Sequence, residues 1–252
     1  MPRSFRPSAR PSDRGRLAGV FASVVAVIAL AALISALSGR DFFASLRDLT
    51  GAAPESGTAA PSQQPGDSAD PADAARAREQ LAGIEIAEPR PRGDYERDEF
   101  GSGWVDTDDN GCSTRNDVLA RDLDDAVVES DCRVVAGVLD DPYTGDRIEF
   151  SSDDPQAVQI DHVVPLSLAW RMGADEWDRD RRVEFANDFG NLLAADGPAN
   201  GQKSDSGPAD WQPYAGFQCS YAMAYIDVTD RYGLALATED RDALSGMLDT
   251  CG

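Results

Sequence analysis

The chain has 252 residues, enough for one domain of ordinary size or two small ones, and a formal net charge of −22. This charge counts against a protein that holds nucleic acid tightly and without sequence preference, because such proteins present a basic surface to the phosphates. It does not exclude a metal-dependent nuclease that contacts phosphate only within a small cleft.

The N-terminal segment has the composition of a membrane anchor. Residues 1–16 hold five arginines and one aspartate, and residues 17–37 contain no charged side chain. A helix of ~20 residues spans a bilayer core, whereas the apolar region of a signal peptide is about 7 to 15 residues long. The sequence therefore predicts a basic cytoplasmic tail at 1–16, a transmembrane or uncleaved signal anchor at 17–37, and a C-terminal part outside the cytoplasm. The alternative is a long cleaved signal peptide, which would give a secreted protein.

A low-complexity segment follows the anchor. From Gly51 to about Ala82 the chain is made mainly of Ala, Pro, Ser, Gly, Gln and Asp, with almost no large apolar side chain before Leu81. Such a composition does not bury enough surface to offset chain entropy, so we predict a disordered linker over 38–88. A short helix at 72–81 fits the pattern, but the sequence shows no packing partner for it. The compact domain is predicted at 89–252, long enough for one core.

The cysteines agree with export from the cytoplasm. All four lie in the predicted domain and none forms a Cys-x-x-Cys pair. Three pairings are open, with free buried thiols as a further alternative. We favour Cys112 with Cys132 and Cys219 with Cys251, because each pair closes a modest loop, a gain of roughly 3 to 4 kcal/mol in the chain-entropy account.

An acidic loop lies near the start of the domain. The run Asp-x-Asp-x-Asn-Gly begins at Asp106 and leads into a helical pattern from Thr114 to Leu123. It resembles the first half of a Ca²⁺ loop over Asp106–Asp117, but Asp117 stands where the bidentate Glu is usual. A plain Asx-rich turn is the favoured interpretation and a Ca²⁺ site the alternative.

The remaining pattern predicts a mixed α+β domain. A hairpin is expected from strands at 133–139 and 147–150, and a further strand at 157–164. Helices are expected after Pro165 and at 178–188, 217–232 and 238–248.

The only histidine of the chain, His162, lies at the end of the third predicted strand, directly after Asp161. Phosphodiester hydrolysis needs a base for the attacking water, and an imidazole with a pKa near 6.5 supplies one if it binds no metal. Oxygen ligands from Asp161 and Asn200 would then hold a hard cation, Mg²⁺ by preference and Mn²⁺ as substitute.

Other polar residues complete the predicted site. Asn191 is expected to brace the loop and fix the direction of His162 through hydrogen bonds to the backbone. Lys203 lies three residues after Asn200 and is expected to touch a phosphate. His162, Asn191 and Lys203 are thus the predicted catalytic set. For Arg115 and Asn116 two interpretations stay open, a place in the cleft or a cap and surface role.

Residues 160–205 resemble the HNH, or ββα-metal (His-Me finger), endonucleases, with Asp161, His162, Asn191 and Asn200 at the motif positions. The span from about 95 to 235 is similar to exported HNH-family proteins related to the C-terminal domain of GmrSD-type modification-dependent restriction enzymes. The similar segments are 103–106, 114–119, 143–145, 169–171 and 202–205. The resemblance implies His162 as general base and Asp161 and Asn200 as metal ligands. It does not imply the restriction function.

The sequence therefore predicts an α+β fold with a ββα-metal core and additional helices, preceded by a transmembrane helix and a disordered linker. The predicted function is a metal-dependent endonuclease acting outside the cytoplasm on DNA, with RNA as second choice. The competing hypothesis is a non-catalytic, disulfide-linked cell-surface binding module on the same scaffold, which the acidic charge favours. The sequence specifies no protein partner.

Overall fold

The computed structural model describes residues 70–252. The predicted tail, the predicted anchor at 17–37 and the linker up to residue 69 lie outside the described residues. Among residues 70–252, no helix combines the length and the apolar character needed to cross a membrane.

Five strands and seven α-helices form between residues 70 and 252, which is the α+β class that the sequence predicts. The strands are β1 (Asp124–Val128), β2 (Val134–Asp140), β3 (Arg147–Ser151), β4 (Val158–His162) and β5 (Leu192–Asp196). The helices are α1 (Pro71–Gly83), α2 (Thr114–Asp122), α3 (Leu166–Arg171), α4 (Arg179–Ala186), α5 (Gly197–Lys203), α6 (Gln218–Tyr232) and α7 (Thr238–Leu248).

One sheet is antiparallel, in the order β1-β2-β3. The predicted hairpin is confirmed, with β2 and β3 paired from Ala136 and Ser151 to Asp140 and Arg147. The buried side chain of Asp141 holds its turn, because Oδ2 accepts hydrogen bonds from the backbone N–H and the hydroxyl of Thr144. Oδ1 of Asp141 accepts a third bond, from the backbone N–H of Asp196 at 2.8 Å, which ties the hairpin to the end of β5.

The second sheet is the antiparallel pair β4 and β5, in register from Val158 and Asp196 to His162 and Leu192. Helix α5 follows β5 directly, so these elements form a ββα unit. The sequence analysis expected a loop around Asn191 and named no strand after it, whereas Leu192–Asp196 is a strand. The apolar run at 192–195 is buried throughout, and a strand covered on both faces lacks the alternation that marks a strand in sequence.

Two buried clusters position the ββα unit. The larger one joins α1, α3, α4, α6 and α7 around aromatic side chains that include Phe100, Phe185 and Tyr221. The smaller one packs α2 against both sheets through residues such as Leu119, Leu139, Phe150 and Val158. Strand β4 contributes to the smaller cluster, whereas the next two residues, Val163 and Val164, belong to the larger one. His162, at the end of β4, therefore lies between the two clusters.

Helix α1 lies within the segment that was predicted to be a disordered linker. Its N-terminus is capped by the Asp70 carboxylate, which accepts a hydrogen bond from the backbone N–H of Ala72 at 2.9 Å. Ala74, Ala77 and Leu81 are buried at helical spacing, and the helix packs against α6 and α7. The disorder prediction is therefore wrong for 71–83. The buried stripe consists mainly of alanines, whose small side chains made the segment resemble a linker.

The two disulfides join Cys112 to Cys132 and Cys219 to Cys251, with Cα–Cα distances of 5.5 Å and 5.1 Å. These are the pairs that the sequence analysis favoured. The first connects the acidic loop to the turn between β1 and β2, and the second connects the start of α6 to the residues after α7.

Candidate active site

Asp161 and His162 line a cleft of about 390 Å³. The rest of the lining comes from three places: residues 92–97, the start of α3 at 165–167, and the residues just after α5 at 204–205. The ββα unit therefore supplies the reactive side chains, and segments on either side of it supply the walls.

His162 has a defined tautomer. Its Nε2 lies 2.9 Å from the carbonyl oxygen of Ala186. Because a carbonyl oxygen only accepts, Nε2 carries the proton and Nδ1 carries the lone pair. Burial lowers the pKa of His162 to about 4, although the hydrogen bond to Ala186 acts in the opposite direction. The ring is therefore neutral at neutral pH, with one nitrogen ready to accept a proton.

Trp104 fixes the plane of the same ring. The indole stacks on the imidazole with centroids 5.7 Å apart and an interplanar angle of 14°. The adjacent backbone N–H of Val105 donates to Oδ1 of Asn187 at 3.1 Å. Ala186 and Asn187 are consecutive residues at the end of α4, so one helix end sets both the hydrogen bond and the stacking partner of His162.

Asn191 is fully buried beside the residues that follow His162. Its Oδ1 accepts from the backbone N–H of Val164 at 2.8 Å, and its own carbonyl oxygen accepts from the N–H of Val163 at 2.8 Å. These contacts are of the bracing kind that the sequence analysis expected. Asn191 is not among the residues that line the cleft.

Lys203 does not have the predicted position. Its side chain is buried, and Nζ donates to Oδ2 of Asp161 and to the carbonyl oxygen of His162, both at 2.8 Å. Burial lowers the pKa of Lys203, while the neighbouring Asp161 raises it. An ammonium group held in this way does not reach a phosphate in the cleft. The prediction of a phosphate contact is therefore wrong, because the residue faces inward to β4.

Tyr143 is the second donor to Asp161. Its hydroxyl bonds the same oxygen, Oδ2, and burial raises the pKa of Tyr143 well above its ordinary value, so the hydroxyl stays protonated. Both donors bond Oδ2, which leaves Oδ1 of Asp161 without a hydrogen-bond donor among residues 70–252.

Asn200 forms a side-chain hydrogen bond to β4 at Gln159. Its amide donates to Oε1 of Gln159 at 2.9 Å. Gln159 lies two residues before Asp161 on the same face of β4, and it is Lys203, one turn after Asn200, that contacts Asp161. Two further carboxylates line the cleft, Glu96 and Asp205, and Oδ2 of Asp205 accepts a hydrogen bond from the Ser167 hydroxyl at 3.2 Å. Binding of a metal ion by Asp161 and Asn200 stays a prediction.

Arg115 and Asn116 do not line the cleft. The Asn116 side chain accepts from the backbone N–H of Val134 at 3.3 Å and donates to the Ser113 hydroxyl at 3.2 Å. Burial lowers the pKa of Arg115. Both residues are half-buried, and no side chain from residues 70–252 caps the N-terminus of α2, so their positions match neither interpretation in full.

The acidic loop at 106–117 is an Asx-rich turn. Oδ2 of Asp106 accepts from the N–H of Gly111 at 2.8 Å, and the Asn110 amide donates to Asp108 and Asp117. The loop therefore has the geometry of the favoured interpretation.

Sequence reasoning missed the wall formed by residues 92–97. Arg92, Tyr95 and Arg97 line the cleft, although they precede the first element that periodicity predicts. The signal that would have found them is the pair of arginines around an aromatic residue in a strongly acidic chain.

Comparison with known proteins places the chain in a family. Residues 113–247 match the family described as GmrSD restriction endonucleases, C-terminal domain, which is more than half of the chain. The chain belongs to the GmrSD C-terminal domain family. An uncharacterized secreted protein of Arthroderma benhamiae is 37% identical over 181 residues, which cover 71% of this chain and 86% of that protein. The match to the GmrSD C-terminal domain includes Asp161, His162 and Lys203, whereas Arg92 and Arg97 lie before it.

Proposed function

We propose that this GmrSD C-terminal-type domain is a metal-dependent endonuclease that hydrolyses phosphodiester bonds in nucleic acid outside the cytoplasm. The observation that carries the proposal is the state of His162, a neutral imidazole at a cleft with Nε2 donating to Ala186 and Nδ1 holding its lone pair. Membership of a nuclease-related family supports the same reaction class.

In this proposal Nδ1 of His162 removes a proton from the attacking water. The Ala186 carbonyl and the face of Trp104 stabilise the imidazolium that forms, since both present negative charge to the ring. Burial lowers the pKa of His162 to about 4. A phosphate brought beside the ring adds negative charge, which raises that pKa toward the range where a general base works best.

The cleft residues fit a hard divalent cation. The ionic donors in the cleft lining are the carboxylates of Glu96, Asp161 and Asp205, and the lining contains no cysteine and no second histidine. Mg²⁺ keeps several waters and needs only one or two protein carboxylates, so this set suits Mg²⁺ with Mn²⁺ as substitute. When bound, such an ion neutralises charge on the phosphoryl oxygens and on the leaving oxygen.

The proposal extends to location. Two disulfides suit an oxidising compartment, and the Arthroderma relative is described as secreted. We propose that residues 17–37 anchor the domain to the membrane from outside, and that cleavage of this segment would release it. DNA is the proposed substrate in preference to RNA.

The test uses the purified full-length protein with supercoiled plasmid and single-stranded RNA, each with Mg²⁺, Mn²⁺ or EDTA. Cleavage that needs the cation and falls by about 10² to 10⁴ in His162→Ala would support the proposal. Circular dichroism of the variant checks that it is folded. Absence of cleavage by a folded wild-type protein would reject the nuclease and favour the binding module.

A further inference from the structure

We infer that Arg92 and Arg97 bind the phosphates that flank the scissile bond, so that the substrate is an extended nucleic-acid strand and not a mononucleotide or a small phosphodiester. This inference rests on the proposed function. It adds two substrate-binding residues that lie outside the family match and sets a minimum size for the substrate.

The first support is their place in the cleft. Arg92 and Arg97 line the same cleft as Asp161 and His162. The backbone that carries them is anchored by Phe100, which is 2% exposed and lies 6.0 Å from Phe185 between ring centroids. Tyr95 adds a second anchor, with its ring 5.9 Å from that of Trp170. The two arginines therefore extend from a fixed segment.

The second support is that both guanidinium groups lack a carboxylate partner. Nine arginines of the described range form ion pairs with Asp or Glu: Arg76, Arg78, Arg90, Arg121, Arg133, Arg147, Arg182, Arg231 and Arg241. Arg92 and Arg97 form no such pair with any residue from 70 to 252, and the contact of Arg92 is with the ring of Tyr95 at 5.0 Å. Four other arginines also form no ion pair within residues 70–252, Arg115, Arg171, Arg179 and Arg181, but none of them lines this cleft. Because carboxylates are abundant in a chain with a net charge of −22, two unpaired arginines at one cleft support a site for an external anion.

The third support is the charge balance of the cleft. Glu96, Asp161 and Asp205 line it and would repel a polyanion. Arg92 and Arg97 are the cationic side chains in the same lining.

A small diester has a single phosphate, which the general base and the cation act upon. Only a strand offers additional phosphates for Arg92 and Arg97. The planar guanidinium matches phosphate oxygens in a bidentate manner, and each interaction of this kind releases counterions from the strand. The contribution of the arginines should therefore appear as salt-dependent affinity for oligonucleotides.

Binding is measured by fluorescence anisotropy with a labelled oligonucleotide in EDTA, on the full-length protein carrying His162→Ala to prevent cleavage. We expect Arg92→Gln with Arg97→Gln to lower the slope of log affinity against log salt by about 0.7 to 0.9 for each arginine–phosphate interaction removed, over roughly 50 to 200 mM salt. The matched control is Arg76→Gln with Arg179→Gln, which removes the same charge from exposed positions on α1 and α4 and should keep the slope. Equal slopes for the two double variants would overturn the inference.

Kinetics separate this inference from the proposed function. With plasmid as substrate, the cleft variant should raise KM by about tenfold or more, and its loss on bis(p-nitrophenyl) phosphate should be much smaller. Arg92→Lys with Arg97→Lys keeps the charge and should retain most of the salt slope, which guards against a folding defect. A wild-type protein that hydrolyses neither substrate rejects the nuclease itself, whereas an active wild type with an unchanged KM in the cleft variant rejects only the role of the arginines.

Discussion

The ammonium group of Lys203 lies 2.8 Å from Oδ2 of Asp161 and 2.8 Å from the carbonyl oxygen of His162. One buried cation thus ties α5 to both of the residues that β4 presents to the cleft. Lysine is almost never fully buried without such a partner, and here the partner is the carboxylate proposed to face a divalent cation. The position of Asp161 therefore depends on an ion pair inside the ββα unit.

Breaking this ion pair should be costly to the fold. Lys203→Met leaves Asp161 with only the Tyr143 hydroxyl, and removing one partner of a buried pair typically destabilises a protein by about 3 to 5 kcal/mol. Lys203→Met with Asp161→Asn should recover part of that stability, because no uncompensated charge remains. Urea unfolding of the three proteins gives the comparison. If the free energy of unfolding of Lys203→Met were within about 1 kcal/mol of the wild-type value, the structural role of Lys203 would be contradicted.

The stability of the protein should rise with pH in the window set by His162. Its pKa is about 4 in the folded protein and near 6.5 in the unfolded chain, so between these values the unfolded chain binds more protons. The neutral ring contributes fully to the free energy of unfolding above about pH 6.5. This contribution, roughly 3 kcal/mol in total, is lost as the pH falls toward 4. Urea unfolding in EDTA of the wild type and His162→Gln measures this, and the variant should show a shallower pH dependence. Parallel curves for the two proteins would contradict the prediction.

The parts of the fold that sequence predicts are those whose signal is local. The hairpin at β2 and β3, the helices α6 and α7 and the placement of His162 at the end of β4 follow from periodicity, turn residues and one motif. Strand β5 was missed because an apolar strand buried on both faces carries no alternation. A short helix at 72–81 was considered, but its packing against α6 and α7 was missed, because its buried stripe is mainly alanine.

In the candidate site, too, residues with a local sequence signal were predicted, whereas positions that depend on tertiary packing were not. Residue type and spacing were enough to predict His162 and Asp161 as site residues, and the structure brings both to one cleft. The direction in which Lys203 and Asn200 point depends on how α5 packs against β4, and helical spacing does not contain that information. The arginines at 92 and 97 are brought to the cleft by the burial of Phe100 and Tyr95, a tertiary contact.

Trp104 should act as a positioning residue for the base. Trp104→Ala removes the stacking partner of His162, and we expect kcat to fall by about tenfold or more with a smaller change in KM, because a loosely held base is misplaced in part of the molecules. The apparent pKa of the base should rise as the ring becomes less buried. Trp104→Phe keeps an aromatic face and should restore most of kcat. Steady-state kinetics on plasmid over a pH series measure both kcat and the apparent pKa of the base. If Trp104→Ala had the same kcat and the same pH profile as the wild type, Trp104 would not position His162.

Helix α1 should contribute to the stability of the domain. Leu81 is 7% exposed against the cluster that contains α6, and the Arg78 guanidinium donates to the carbonyl oxygen of Leu248 at 2.6 Å. Leu81→Ala should therefore lower the free energy of unfolding by about 2 to 3 kcal/mol, the change typical of a buried leucine that leaves a cavity. Glu79→Ala, at an exposed position of the same helix, is the matched control and should change it by about 0.5 kcal/mol or less. If residues 71–83 were a disordered tether, neither change would have an effect, so equal unfolding curves for the two variants would reject the packed helix.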